Sequence, residues 1–136
     1  MKLKGLLIKP FGDGTGTIEE VEVRKGELKD YYSLIECSTF AVGADIGKNS
    51  LYVDDEGLIK TYTNEEGDEI PPKFFSLQHL TFAGNGLVLG FDIETGESID
   101  TDMTIDQVKN MIEFQDEKFS MNKDYKETML HIVSWG

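Results

Sequence analysis

Carboxylates are the most frequent side chains in this sequence that could bind a cation or take part in a reaction. Several of them stand in two tight clusters. The first cluster comprises Asp54, Asp55 and Glu56, and the second comprises Glu65, Glu66, Asp68 and Glu69. Carboxylate oxygens are the ligands that hard cations such as Ca²⁺ prefer. Neither cluster has the alternate ligand positions and the final bidentate Glu of an EF-hand loop. We therefore interpret both clusters as solvated turns and predict no metal site.

A glycine-rich stretch at residues 12–16 is the second candidate, because glycine loops can hold phosphate. Gly12, Gly14 and Gly16 do not have the G-x-G-x-x-G spacing, and no Walker lysine follows them. Phosphate binding of this type also needs a helix N-terminus beneath the anion. The flanking residues have the pattern of strands, so we interpret the stretch as the loop of a hairpin.

Catalytic side chains are sparse. His79 and His131 are the only histidines and Cys37 is the only cysteine, which is too few for a typical zinc site. Glu36 lies beside Cys37 and disfavours the reactive thiolate. No serine has the G-x-S-x-G context of a hydrolase. We predict that the protein is not an enzyme and uses no cofactor.

The charge of the chain is concentrated in its middle. Residues 54–102 contain 12 acidic and two basic side chains, and so account for −10 of the net −13. A field of this sign repels nucleic acids and anionic membranes and attracts basic protein surfaces. Acidity also serves solubility, so charge alone leaves both interpretations open. The candidate partner-binding residues are the carboxylates of this stretch: Asp54, Asp55, Glu56, Glu65, Glu66, Asp68, Glu69, Asp92, Glu94, Glu97, Asp100 and Asp102.

Hydrophobic patterning predicts the elements that would position these side chains. Apolar spacing predicts a short helix that contains Leu28, Tyr31 and Ile35. Thr104 and Gln107 form the capping box of a second helix. Residues 74–80 are expected to be a short helix or an irregular segment. Strands are predicted at residues 3–9, 18–23, 39–46, 50–53, 58–62, 87–93 and 128–135, with a helix from Asn122 as the alternative for the last.

The turn residues 54–57 predict a hairpin between the strand that ends at Val53 and the strand at residues 58–62. Together the elements predict an α+β fold, a mainly antiparallel sheet with two helices packed on one face. A chain of 136 residues suits a single domain over residues 1–136. A lone cysteine and an N-terminal apolar run too short for a signal peptide indicate the cytoplasm.

Three stretches give the chain a resemblance to a known group of proteins. They are a strand at residues 38–46, the sequence Leu-Tyr-Val-Asp-Asp-Glu-Gly-Leu at residues 51–58, and the sequence Phe-Ala-Gly-Asn-Gly-Leu-Val-Leu-Gly at residues 82–90. Their order over residues 32–108 resembles an uncharacterised family of small proteins from bacteriophages, plasmids and other mobile elements. Family members have an Asn-Glu-Asp/Glu-Gly type turn, where this chain has Asp54 and Asp55 in place of Asn and Glu.

The resemblance implies an origin in a mobile element, and such elements use small acidic proteins against host defence. On this hypothesis the carboxylates of residues 54–102 mimic a nucleic acid and occupy the basic site of a CRISPR, restriction or similar host enzyme, without direct contact to nucleic acid or membrane. One alternative is an oligomeric sponge that sequesters a nucleotide immune signal through Arg24, Lys25 or Lys48. Another is a soluble accessory protein-interaction domain. The mimic hypothesis expects charge reversal at Asp92, Glu94, Glu97, Asp100 and Asp102 to remove binding and leave the fold intact.

Overall fold

The computed structural model describes residues 1–37, 39–55, 62–63, 69–70 and 73–115, and within them the chain forms eleven strands and two helices. In chain order these are β1 (Lys2–Pro10), β2 (Gly16–Arg24), α1 (Leu28–Ile35), β3 (Phe40–Ile46), β4 (Asn49–Asp54), β5 (Tyr62–Thr63), β6 (Glu69–Ile70), β7 (Phe74–Leu77), β8 (Leu80–Ala83), β9 (Gly86–Phe91), β10 (Ser98–Ile99), α2 (Ile105–Met111) and β11 (Ile112–Phe114).

The main sheet has the order β2-β1-β9-β4-β3, and β10 pairs with the end of β9. Every neighbouring pair of strands is antiparallel. β1 and β9 approach closely at Gly5, where a Cβ atom would lie 2.9 Å from Cδ2 of Leu89 and 3.0 Å from the carbonyl oxygen of Val88. A larger residue at this position would push β1 and β9 apart.

Side chains of the sheet alternate between two hydrophobic cores, one on each face. Leu89 of β9 belongs to the same core as Tyr31 of α1. The preceding residue, Val88, belongs to the opposite core, together with Phe75 of β7 and Val108 of α2. The predicted α+β fold with a mainly antiparallel sheet is confirmed. The prediction that both helices pack on one face was wrong, because β9 is apolar on both faces and each face needs its own covering layer.

Both helices form where the apolar spacing predicted them. α1 ends at Ile35, and the residue after it, Glu36, has the left-handed conformation (φ 61°) that commonly terminates a helix. In α2 the capping box is present, since Oγ1 of Thr104 accepts from the Gln107 amide at 3.1 Å and the Thr104 amide donates to Oε1 of Gln107 at 2.9 Å. In the described part of the chain, no helix has the length and apolarity needed to cross a membrane.

A second sheet of three strands, β11-β7-β8, packs against the α2 face. β7 and β8 form a hairpin that turns at Gln78, which has a left-handed backbone (φ 56°), and His79. The expectation of a short helix or irregular segment at residues 74–80 is therefore corrected. Phe74, Phe75 and Leu77 are buried in an extended segment that pairs with the adjacent β8 on one side and with β11, which is distant in sequence, on the other.

The strand predictions near the N-terminus and in the centre are confirmed by β1, β2, β3, β4 and β9. The hairpin predicted at residues 54–57 is different from the observed pairing. Asp54 lies opposite Phe40 of β3, and Val53 lies opposite Gly86 of β9, so β4 has neighbours on both sides. Tyr62–Thr63 pairs instead with Glu69–Ile70. Residues 56–61, which include most of the strand predicted at residues 58–62, and the strand predicted at residues 128–135 lie outside the described part of the chain.

Candidate partner-binding surface

Among the described residues, the predicted acidic side chains of residues 54–55 and 92–102 lie at two opposite ends of the main sheet. β4 and β9 are antiparallel, with Asn49 opposite Gly90 and Val53 opposite Gly86. Residues 54–55 therefore lie at one end of these strands and residues 92–102 at the other. Strands of six residues span roughly 20 Å, so the two groups do not share one surface.

The first group is only partly described. Asp54 is buried, with 8% of its surface exposed, whereas Asp55 is exposed and its amide donates to the carbonyl of Thr39 at 3.1 Å. Glu69 lies in β6, and its side chain is outside what the structure describes. The predicted residues Glu56, Glu65, Glu66 and Asp68 also lie outside the described residues.

The second group begins in the turn between β9 and β10. Oδ1 of Asp92 accepts from the Glu94 amide at 2.9 Å, and the Asp92 carbonyl accepts from the amide of Gly96 at 2.7 Å. Glu97 forms an ion pair with Lys25 at 3.1 Å, which connects the turn to the end of β2. Glu94 is exposed. In this turn Asp92 shapes the backbone, while Glu94 presents its charge to solvent.

Asp100 and Asp102 also take part in the local structure. Oδ1 of Asp100 accepts from the Lys4 amide at 2.8 Å, at the start of β1. Oδ1 of Asp102 accepts from Nδ2 of Asn49 at 2.8 Å, and Oδ1 of Asn49 accepts from the hydroxyl of Thr101 at 2.7 Å. These bonds bear on the expectation that reversing all five charges leaves the fold intact, which stays a prediction. Three of the five carboxylates hold hydrogen bonds that a lysine could not replace.

The acidic end also contains a carboxylate that sequence reasoning missed. Asp106 is exposed in the first turn of α2, and it follows directly from the loop that carries Asp102. Its position two residues after the capping residue Thr104 was the available signal, since acidic residues favour the first turn of a helix. We define the acidic end as residues 92–106. Two of its exposed carboxylates, Glu94 and Asp106, make no side-chain hydrogen bond to another described residue.

A groove runs beside the acidic end, between the β3–β4 turn and α2. Its polar side chains include Lys48, Asp102, Gln107 and Asn110, and Met103 contributes an apolar wall. One amine and one carboxylate give this groove no net positive charge. Among the described residues, no group of three His, Cys, Asp or Glu side chains is placed to hold a metal ion.

The glycine loop joins β1 to β2, as predicted, and its amides are engaged by protein groups. The Phe11 amide donates to the carbonyl of Thr15 at 3.0 Å, and the Gly14 amide donates to the carbonyl of Gln115 at 3.2 Å. Oδ1 of Asp13 accepts from the Thr15 amide at 3.0 Å. The amides of Gly14 and Thr15 are therefore not available to a phosphate group.

A model of one protein family matches most of the chain. The sequence matches the family described as "Domain of unknown function (DUF3846)" over residues 2–113. The chain belongs to the DUF3846 family. The family match begins in β1 and reaches β11, so it includes both helices and the whole main sheet. No curated protein and no solved structure matches the chain. The resemblance to an uncharacterised family is thus supported, while the mobile-element origin of this DUF3846 chain stays a prediction.

Proposed function

We propose that this DUF3846 protein is a non-catalytic inhibitor from a phage or other mobile element, which binds a host defence protein at a basic nucleic-acid site. The proposed target is the nucleic-acid site of a CRISPR, restriction or similar enzyme. The observation that carries the proposal is the acidic end, where carboxylates from the β9–β10 turn, the following loop and the first turn of α2 follow one another along a backbone held by hydrogen bonds.

Rigidity supports this role, because a mimic must hold its charges in place before binding. Hydrogen bonds join Asp100 to β1 and Asp102 to β4, and a further bond joins Asp92 to the Glu94 amide within its turn. Glu94 and Asp106 belong to the same stretch of chain and are exposed. The carboxylates of such a surface would be complementary to Lys and Arg side chains that otherwise contact backbone phosphates.

The nucleotide-sponge alternative receives less support. An anionic ligand needs a concave site with excess positive charge. The groove beside α2 contributes only Lys48, and Asp102 offsets its charge. Arg24 is committed to Asp30 at 2.8 Å, and Lys25 is committed to Glu97 at 3.1 Å.

The test is affinity capture from a bacterial lysate, with the retained proteins and released small molecules identified by mass spectrometry. We expect a nucleic-acid-handling enzyme that DNA displaces and that is lost at about 1 M salt, where the Debye length falls to about 3 Å. Release of a nucleotide without a protein partner would favour the sponge instead.

Two paired charge reversals locate the binding surface. Glu94→Lys with Asp106→Lys changes the exposed charges of the acidic end and should abolish capture. Glu19→Lys with Glu20→Lys makes the same change in net charge on the exposed part of β2 and should retain it. Equal loss with both pairs would show that net charge, and not the acidic end, governs binding.

A further inference from the structure

One edge of the main sheet is built differently from the other. β2 forms the first edge and is guarded by charged residues, since Glu19, Glu20 and Glu22 are exposed along it. β3 forms the second edge, and within the described residues it pairs only with β4. Its residues 40–44 contain no charge and no proline. Charged residues and prolines are two of the means of blocking an edge strand, and β3 has neither over these residues.

Apolar surface flanks this edge on the α1 face of the sheet. Val42 lies opposite Tyr52 and is 53% exposed. Tyr32 of α1 is 36% exposed, and its ring centroid lies 5.2 Å from that of Phe40. A strand added beside β3 would therefore place alternate side chains over Val42 and against these rings.

On the α2 face the same edge borders an open cavity of ≈ 170 Å³, lined in part by Ala41, Gly43, Asp55 and Phe82. The β3–β4 register shifts between Val42 and Ala44, so Gly43 sits in a bulge. A Cβ atom on Gly43 would lie 2.7 Å from the Phe82 ring, which means that only glycine lets the strand approach this closely. The remaining alternate side chains of an added strand would face this cavity.

The charges around the edge indicate what kind of strand fits. Asp45 and Asp55 are exposed near the two ends of β3, and Glu36 is exposed at the end of α1. Lys48 is the only basic residue between residues 36 and 55. A second copy of this chain would bring the same acidic charges and be repelled, whereas Lys or Arg side chains would be attracted.

We propose that the β3 edge binds an extended peptide segment of a partner protein, with apolar residues at alternate positions and Lys or Arg residues between them. Main-chain hydrogen bonds to β3 supply affinity, and the surfaces on the two faces select the side chains. This surface is separate from the acidic end, so it adds a second contact rather than restating the first.

The test uses the full chain labelled with ¹⁵N and two synthetic octapeptides, one alternating Lys and Val and the other alternating Glu and Val. We expect the Lys-Val peptide to shift the amide resonances of residues 40–46 and to slow their hydrogen exchange, and the Glu-Val peptide to have no effect. Val42→Lys blocks the edge with a like charge and should abolish the shifts. Val42→Thr is the matched neutral control and should retain them.

Three results would overturn the proposal. Exchange protection of the outer β3 amides in the free protein would mean that another part of this chain covers the edge. Concentration-dependent dimerisation that Val42→Lys removes would assign the edge to a second copy. Equal binding of both peptides would remove the role of charge. The Glu94→Lys/Asp106→Lys protein should bind the Lys-Val peptide normally, so this inference and the proposed function fail separately.

Discussion

Buried polar side chains fasten the loops of this protein to its sheet. Asn49 and Thr101 are 4% and 2% exposed, and their direct hydrogen bond joins β4 to the loop before α2. At the opposite end of the strands, Nδ2 of Asn85 donates to the Leu34 carbonyl at 3.0 Å and to Oε2 of Glu36 at 2.9 Å. Each contact satisfies a group that burial would otherwise leave without a partner.

Replacing Thr101 with valine should test the first of these contacts. The hydroxyl of Thr101 donates to Asn49 and accepts from the Met103 amide at 3.2 Å, so valine would leave two buried groups unpaired. We expect a loss of about 1–3 kcal/mol in the free energy of unfolding, measured with urea. Thr39→Val at an exposed position is the control and should change stability much less. Equal losses would argue against the network.

The ion pair between Arg24 and Asp30 sets a pH dependence. Hydrogen bonds from the Arg24 side chain and amide lower the pKa of Asp30 from 3.8 to about 2. A lowered pKa stabilises the fold above the unfolded-state value, and this contribution is lost as the pH falls from about 4 to about 2. The carboxyl carbon of Asp30 should titrate by NMR near pH 2, and a midpoint near 3.8 would contradict the contact.

At the level of elements, α2 has seven residues and depends on its capping box and its one buried side chain. Helices this short are marginal without capping and packing. Thr104→Ala removes the acceptor for the Gln107 amide and should cost about 1 kcal/mol of stability in chemical denaturation. Thr104→Ser keeps that acceptor and should cost little. If serine and alanine destabilise the protein equally, the capping bond is not responsible.

Local sequence signals predicted where the helices and strands lie better than they predicted which strands pair with one another. The capping box and the apolar stripe of α1 depend on residues a few positions apart, so both helices could be read from the sequence. The partners of β4 could not, since β9 begins more than 30 residues after β4 ends. The continuous apolar run of β9 already indicated burial on both faces, and a layer on each face should have followed from it.

The candidate site was predictable only in part. Composition identified the carboxylates of residues 92–102, because clustered charge needs no three-dimensional information. Their separation from Asp54 and Asp55 depends on the antiparallel pairing of β4 with β9. The hydrogen bonds of Asp100 and Asp102 depend on contacts with Lys4 and Asn49, and no local pattern reports contacts of that range.

At the scale of the whole molecule, the two cores share the strands β1, β4 and β9 and should therefore unfold together. Val108→Ala opens a cavity in the α2 core and should cost about 2 kcal/mol. The same shift in midpoint should appear in the near-ultraviolet signal of the tyrosines on the α1 face, where Tyr31 and Tyr52 lie 5.5 Å apart. The exposed Val42→Ala is the control, and a tyrosine signal that did not follow Val108→Ala would show independent cores.

The pairing of β1 with β9 also determines when β1 can complete its contacts during synthesis. Leu6 of β1 lies opposite Val88 of β9, so the first strand of the chain waits for residues made about 80 positions later. At about 5–20 residues per second, ribosomes need about 4–16 s to produce them. Throughout this interval Leu6 and Ile8 lack the β9 residues that they face in the folded protein. The exposed glutamates of β2 are of the residue type that, next to hydrophobic strands, disfavours association with other chains.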